Sequence, residues 1–398
     1  MAGRKQDTND NGPKLVDKKE FEARHFRLRA RRFAIGAVLV AAVLIVVFVI
    51  YKQISEKVYT EYEVIGTVDW TPVSGTTVLP YGSDLVSYSA DGIHCTNAKG
   101  QDLWSFSYVM QNPMVEVQGD YVAVADHGGR KVYIYDRTGL IGEIEVNNPV
   151  RSICLSGGGV VAAVLDDGDT APIYLYYRDG TPISYFRTTM SRSGYPAAIG
   201  ISDSGKLVGV SYFYLDSGQL TSHVAFYNFD EVGKNETDNL VCGYEYRGEL
   251  VPMVRFMDED SAFAVANDRL VIYEGKQRPQ DIANRLLQDE IRSVYYGKDY
   301  VGLVYFDRSG EGKYRMEVYD AKGNQKCELH FDQEYNDIRF AGENILIYNS
   351  ASCQVYTTKG RLKFQGTFES SVYLMLPGTN PTSCILVTDQ GIQTIQLK

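Results

Sequence analysis

Residues 62–70, YEVIGTVDW, read as one strand with no strand-like neighbour beside it in the sequence. From residue 77 onward such runs recur in groups of four, until the last group, SVYLML (371–376), SCILVT (383–388) and IQTIQL (392–397), stops at three. A spare strand at one end and a missing strand at the other predict a ring closed by its own two ends. Closure of this kind removes the open sheet edge on which other chains could pair.

Two turn marks give the ring its count. The first is an aromatic residue four positions before a glycine: Tyr135 and Gly139, Tyr176 and Gly180, Phe229 and Gly233, Tyr319 and Gly323, Tyr356 and Gly360. Altered versions surround Gly100 and Gly275, and the seven glycines lie 37 to 53 residues apart. Repeats of about 40–50 residues with four strands each are the sequence sign of propeller blades. The second mark is a glycine or acidic turn between the first two strands of a group, at Gly82, Gly119, Gly158, Gly205, Asp258 to Asp260, Gly297, Gly342 and Gly378. Between the marks lie β-branched and aromatic runs such as YVAVAD (121–126) and KVYIYD (131–136), which lack helical periodicity. The predicted fold is an all-β, eight-bladed β-propeller. Seven blades is the alternative, because PQDIANRLLQDE (279–290) reads as an outer strand or as a short helix.

Ahead of the ring, Phe33 to Tyr51 reads FAIGAVLVAAVLIVVFVIY, nineteen residues without a charge. As a helix rising about 1.5 Å per residue, it matches a hydrocarbon core about 30 Å thick. Arg24, Arg27, Arg29, Arg31 and Arg32 precede it, and only Lys52 and Lys57 follow closely. The positive-inside rule then predicts a cytoplasmic tail (1–32), one transmembrane helix (33–51), a short linker (52–60) and an extracytoplasmic propeller (61–398). The expected location is the cell membrane, with the bilayer as partner through 33–51. A cleaved signal peptide is disfavoured by the long charged region and the missing small-residue cleavage site. The stretch RHFRLRARR (24–32) reads equally as a topology signal or as a contact for anionic lipid.

Charge divides the chain. Residues 1–32 hold ten Lys and Arg against five Asp and Glu, so the whole-chain totals of 40 and 50 leave 30 against 45 for the remainder, a net of −15. Such a domain repels phosphate backbones, which excludes nucleic acid and favours neutral or cationic partners. The six cysteines are widely spaced, fall in different repeat units and contain no C-x-x-C, so they read as small buried hydrophobes.

In a propeller the first-to-second and third-to-fourth turns lie at one end of the blades, and the second-to-third turns and inter-blade connections at the other. If 62–70 is a fourth strand, the chain enters it from the first of these ends. The nine linker residues, at no more than about 3.6 Å each, keep that end near the bilayer. The opposite end then looks outward. There fall the long connections DDGDTAP (166–172), FYLDSGQLTSH (213–223), FDRSGEGK (306–313) and TTMSRSGYP (188–196). Loops on a rigid scaffold are where binding resides. The candidate contact residues are Asp166, Asp167, Asp169, Arg192, Tyr195, Tyr212, Tyr214, Asp216, Asp307 and Arg308.

Metal and catalytic signals are weak. Asp166, Asp167 and Asp169 around Gly168 match no complete calcium loop and read as an acidic turn. The exported histidines show no metal-ligand spacing, and no G-x-S-x-G or Walker motif occurs. No cofactor is expected. The stretch NAKGQDLWSFSY (97–108) resembles the repeat of pyrroloquinoline-quinone-type and outer-membrane-assembly lipoprotein propellers, whose D-x-x-G-K-x-x-W turn leads into the outer strand. Gly100, Leu103 and Trp104 carry the match; the other units keep the glycine and lose the tryptophan. The whole layout resembles a family of single-pass, membrane-anchored propellers of Gram-positive, Clostridia-type bacteria, and that resemblance implies a cell-envelope location. The expected function is a binding or scaffolding module that recruits an envelope protein or wall polymer through its outward face. An envelope hydrolase or lyase with its site at the channel, and an extracytoplasmic sensor subunit, are the alternatives.

Overall fold

The computed structural model describes residues 36, 38–47, 57–189 and 194–398. The chain divides into two compact units, Met1–Lys57 and Val58–Lys398. In the first, residues 38–47 are helical with exposed apolar side chains such as Val40 and Ile45. Among the described residues no helix is long and apolar enough to cross a membrane. Much of the span expected at 33–51 lies outside them.

The second unit is a ring of eight four-stranded antiparallel sheets. Blade one holds β2 (Thr77–Tyr81), β3 (Asp84–Tyr88), β4 (Gly92–Thr96) and β5 (Asp102–Ser107). Blades two to five run from β6 (Pro113–Gln118) to β9 (Gly139–Glu145), β10 (Val150–Leu155) to β13 (Pro182–Thr189), β14 (Tyr195–Ile201) to β17 (Leu240–Arg247) and β18 (Met253–Phe256) to β21 (Gln280–Leu286). Blades six and seven run from β22 (Ser293–Tyr296) to β25 (Gln325–Phe331) and from β26 (Asp337–Ala341) to β29 (Leu362–Thr367). Blade eight takes β30 (Val372–Pro377), β31 (Ser383–Thr388) and β32 (Gly391–Leu397) from one end of the domain and β1 (Tyr62–Val68) from the other.

The closing pair is antiparallel, from Tyr62 opposite Leu397 to Val68 opposite Ile392, with a bulge at Ile65. Lys398 N donates to Glu61 O at 2.8 Å, and Lys398 Nζ meets Glu63 Oε2 at 2.5 Å. The incoming chain is also held by the neighbouring blade: Tyr59 N donates to Lys363 O at 2.8 Å, and Gln365 N donates to Tyr59 O at 3.1 Å.

Packing explains why eight sheets make a ring. Each pair of neighbouring blades shares one apolar cluster, from Val86, Ile93 and Val124 between blades one and two to Val78, Leu374 and Val387 between blades eight and one. Burying one such side chain stabilises by about 1.5–3 kcal/mol. The aromatics ahead of the turn glycines belong to these clusters, Tyr135 and Tyr319 among them. Gly180 has a φ of +85°, and a Cβ there would lie 2.9 Å from the Glu143 carbonyl oxygen of the blade before. That close approach, in the left-handed region, is why the turn demands glycine.

One expectation needs correction. Residues 213–223 are no loop: Leu207–Asp216 (β15) and Gln219–Asn228 (β16) run through them and turn at Ser217 and Gly218. Of the two readings left open at 279–290, the outer strand is the one adopted, because β21 pairs with Arg269–Glu274 (β20) and so completes the fifth of eight blades.

Candidate functional site

At the end of the ring opposite the start of β1, the second-to-third turns and inter-blade connections carry most of the residues expected there. In blade three, Asp166 Oδ1 accepts from Gly168 N at 3.2 Å, while Asp167 accepts from Asn148 Nδ2 at 2.9 Å and from Thr170 Oγ1 at 3.1 Å. Two of the three carboxylates are thus engaged in holding the turn, and Asp169 stands beside them. No group of three or more potential metal ligands occurs among the described residues. Tyr195 opens β14, with the Arg151 guanidinium 4.2 Å over its ring and Phe213 5.8 Å away. Tyr214 and Asp216 lie along and at the tip of the β15–β16 hairpin. Arg192 lies outside the described residues.

Tyr212 and Asp307 are not surface contacts. Tyr212 alternates inward on β15, is buried, and bonds through its hydroxyl to the Tyr227 hydroxyl at 3.0 Å. The Asp307 side chain is 1% exposed and bonds to His330 Nδ1 at 2.8 Å. That bond, first among the causes, holds the Asp307 carboxyl well below the usual carboxylate range and raises His330 above its ordinary value. Glu328 Oε1 and Glu311 Oε2 complete the surroundings of His330 Nε2 at 3.1 and 3.7 Å. Arg308 is exposed and pairs with Asp289 at 3.2 Å. The structure gathers the blade-three and blade-four residues on neighbouring blades; Asp307 and Arg308 stand two blades further round.

A polar device in the channel escaped the sequence reading. Arg255 of β18, in blade five, reaches across the inner strands of blades four, three and two. Its Nη1 donates to Ile199 O of β14 at 2.6 Å and to Cys154 Sγ of β10 at 3.6 Å, while Nη2 meets Glu116 Oε1 of β6 at 3.5 Å. Burial raises the Glu116 carboxyl above its ordinary value against the pull of Arg255. Burial also pushes the Cys154 thiol up to about 11, which keeps it neutral and unreactive. Arg339 of β26 pairs with Asp337 Oδ2 at 2.7 Å beside the Tyr348 hydroxyl at 3.2 Å. A cavity of about 430 Å³, lined by Tyr295, Tyr296, Arg339 and Pro80, opens on this side of the axis. The available signal was a charge inside an otherwise apolar first strand, single in PMVEVQ (113–118) and MVRF (253–256) and paired with Asp337 in DIRFA (337–341).

A family model described as "Family of unknown function (DUF5711)" matches residues 55–397. Among solved structures, the C-terminal WD40 domain of Sif2 covers 86% of this chain and 100% of its own at 10% identity, with a TM-score of 0.56. The computationally designed Ika8 protein covers 83% and 100% at 11% identity, with a TM-score of 0.50. BamB from Moraxella catarrhalis covers 85% and 99% at 12% identity, but its TM-score of 0.47 carries no argument. No curated protein matches the chain in sequence. At these identities the likenesses show the propeller fold alone.

Proposed function

The chain belongs to the DUF5711 family, and from that premise we propose that it is a membrane-anchored, extracytoplasmic recruiting module whose outward end binds an envelope protein. The observation that carries this reading is the split between the two ends of the ring. One end receives the tether through β1 and the Tyr59 contacts with β29. The other presents apolar side chains from several blades to solvent: Val109 at 93% exposed, Leu215 at 74%, Phe306 at 54% and Tyr373 at 52%. Exposed apolar surface rimmed by charge marks protein contact sites. Binding is favoured over hydrolysis by the channel, where Glu116 and Asp337 each face a guanidinium, leaving neither free as a general base.

The test is site-directed photo-crosslinking of the full chain in intact cells, with the reactive residue at Val109 or Leu215 and, as control, at Lys359 on the tether end. A discrete protein adduct from the first two positions, absent from the third and abolished by Leu215→Asp with Val109→Asp, is expected. Adducts of equal yield at both ends, or none, overturn the proposal. External protease should also cut the 307–313 loop in intact cells; protection of that loop would overturn the extracytoplasmic placement.

A further inference from the structure

Independently of that reading, we propose that a cavity between blades seven and eight is a binding site for a phosphate group, held by Arg361 and Lys363. The cavity is about 540 Å³ in volume and opens at the tether end of the ring, between the first turns of the two blades. Arg361 and Lys363 are two positions apart where the chain enters β29, so strand alternation sets them on one side of it.

Among the described residues neither cation forms an ion pair, although Glu343 lies in the same lining and acts on Lys363 at longer range. Among the described residues the Arg361 Nε is buried and has no hydrogen-bond partner. A buried guanidinium donor left unpaired is costly, and a bound anion is one way to satisfy it. Lys363 Nζ donates only to neutral acceptors, Pro381 O and Asn344 Oδ1, the latter at 3.3 Å. An ammonium has three donors, so one remains. Burial lowers the Lys363 ammonium below its ordinary value, the direction expected of a cation lacking a counter-ion.

Neutral donors complete the wall. Asn344 spends its carbonyl on Lys363 and keeps its amide hydrogens, and Thr357 accepts from Arg361 N at 3.2 Å with its hydroxyl hydrogen unspent. Glu343 is the one carboxylate in the lining, leaving a net charge of +1 in a domain whose remainder is strongly acidic. Two cations and two neutral donors around one space suit the several oxygens of a phosphate monoester better than a single carboxylate. The site also adjoins the point where the chain enters the ring, because the Lys363 carbonyl is the one that receives Tyr59 N.

The probe is glycerol 3-phosphate, followed by phosphorus NMR line broadening with the full chain in phosphatidylcholine nanodiscs. Saturable broadening is expected, weakened at least about tenfold by Arg361→Gln, since a hydrogen bond to a charged group contributes about 1.5–3 kcal/mol. Because the buried Arg361 Nε is unsatisfied in the unliganded fold, unliganded Arg361→Gln should unfold no earlier than the parent, which separates lost binding from lost fold. Repeating the titration in discs containing phosphatidic acid tells the source of the phosphate: competition identifies a lipid headgroup, and its absence a soluble phosphate ester. No broadening in phosphatidylcholine discs, or broadening unchanged in Arg361→Gln, overturns the proposal.

Discussion

Ile395 and Ile65 belong to the two strands that close the ring, and the structure forecasts opposite fates for their truncation. Ile395 is fully buried in the cluster with Leu346, Val355, Phe364 and Leu397, between blades seven and eight. Ile65 is the bulged residue of β1 and is 55% exposed. Ile395→Ala removes three carbons at about 0.8 kcal/mol each and leaves a cavity in tightly packed surroundings, so the expected loss is about 3–4 kcal/mol. Ile65→Ala should stay within about 0.5 kcal/mol. Urea unfolding of the full chain in neutral detergent, followed by the fluorescence of Trp70 and Trp104, reads both as midpoint shifts at constant slope. A one-residue slip of β1 against β32 would exchange inward and outward positions. An Ile65→Ala cost equal to or larger than that of Ile395→Ala refutes the register.

Arg137 joins blades one and two: it meets Asp84 Oδ2 at 2.5 Å, Asp120 Oδ1 at 3.0 Å and Tyr81 O at 3.2 Å, with its guanidinium 4.2 Å from the Tyr81 ring. Arg137→Ala, which strands the mostly buried Asp84, should cost about 2–3 kcal/mol by calorimetry, and Arg137→Lys should recover little of it because an ammonium lacks the fork. The 307–313 loop should loosen with rising pH. The raised value of His330 contributes stability that is complete below its unfolded value of about 6.5 and fades as pH climbs through the folded one, while the depressed Asp307 loses its contribution only in strong acid. Hydrogen exchange across the loop, corrected for intrinsic rates, should therefore rise as pH climbs above the ordinary histidine value of about 6.5. In His330→Gln, with Asp307, Glu311 and Glu328 unchanged, that rise should disappear.

Blade architecture was legible in the sequence because it is local. A glycine turn and the alternating strands beside it fall within a dozen residues, so all eight first turns and the borrowed strand could be placed. The hairpin at 213–223 was misread because its polar residues, Asp216, Ser217, Gly218 and Gln219, look like a loop. Strand pairing with β14 and β17 continues the sheet through Tyr212 to Tyr214 regardless. The candidate site was legible only by face. Sequence order assigns a residue to one end of the ring, but it does not say that Asp307 will be spent on His330, which lies 23 positions away. The same limit hid Arg255 and Glu116, which meet only after four blades have curved round the axis.

The central claim is that β1 completes blade eight, because that pairing sets the end at which the chain enters the ring. Thr67 and Gln393 are directly opposed in the closing pair, and opposed antiparallel residues have Cα atoms about 4.5–5.5 Å apart, within disulfide reach. The measurement is mass spectrometry of an unreduced digest of the full chain carrying Thr67→Cys and Gln393→Cys, beside an out-of-register control carrying Thr67→Cys and Gln396→Cys. The closed ring predicts a near-complete disulfide in the first and none in the second; free thiols in the first, or equal crosslinking in both, would contradict it.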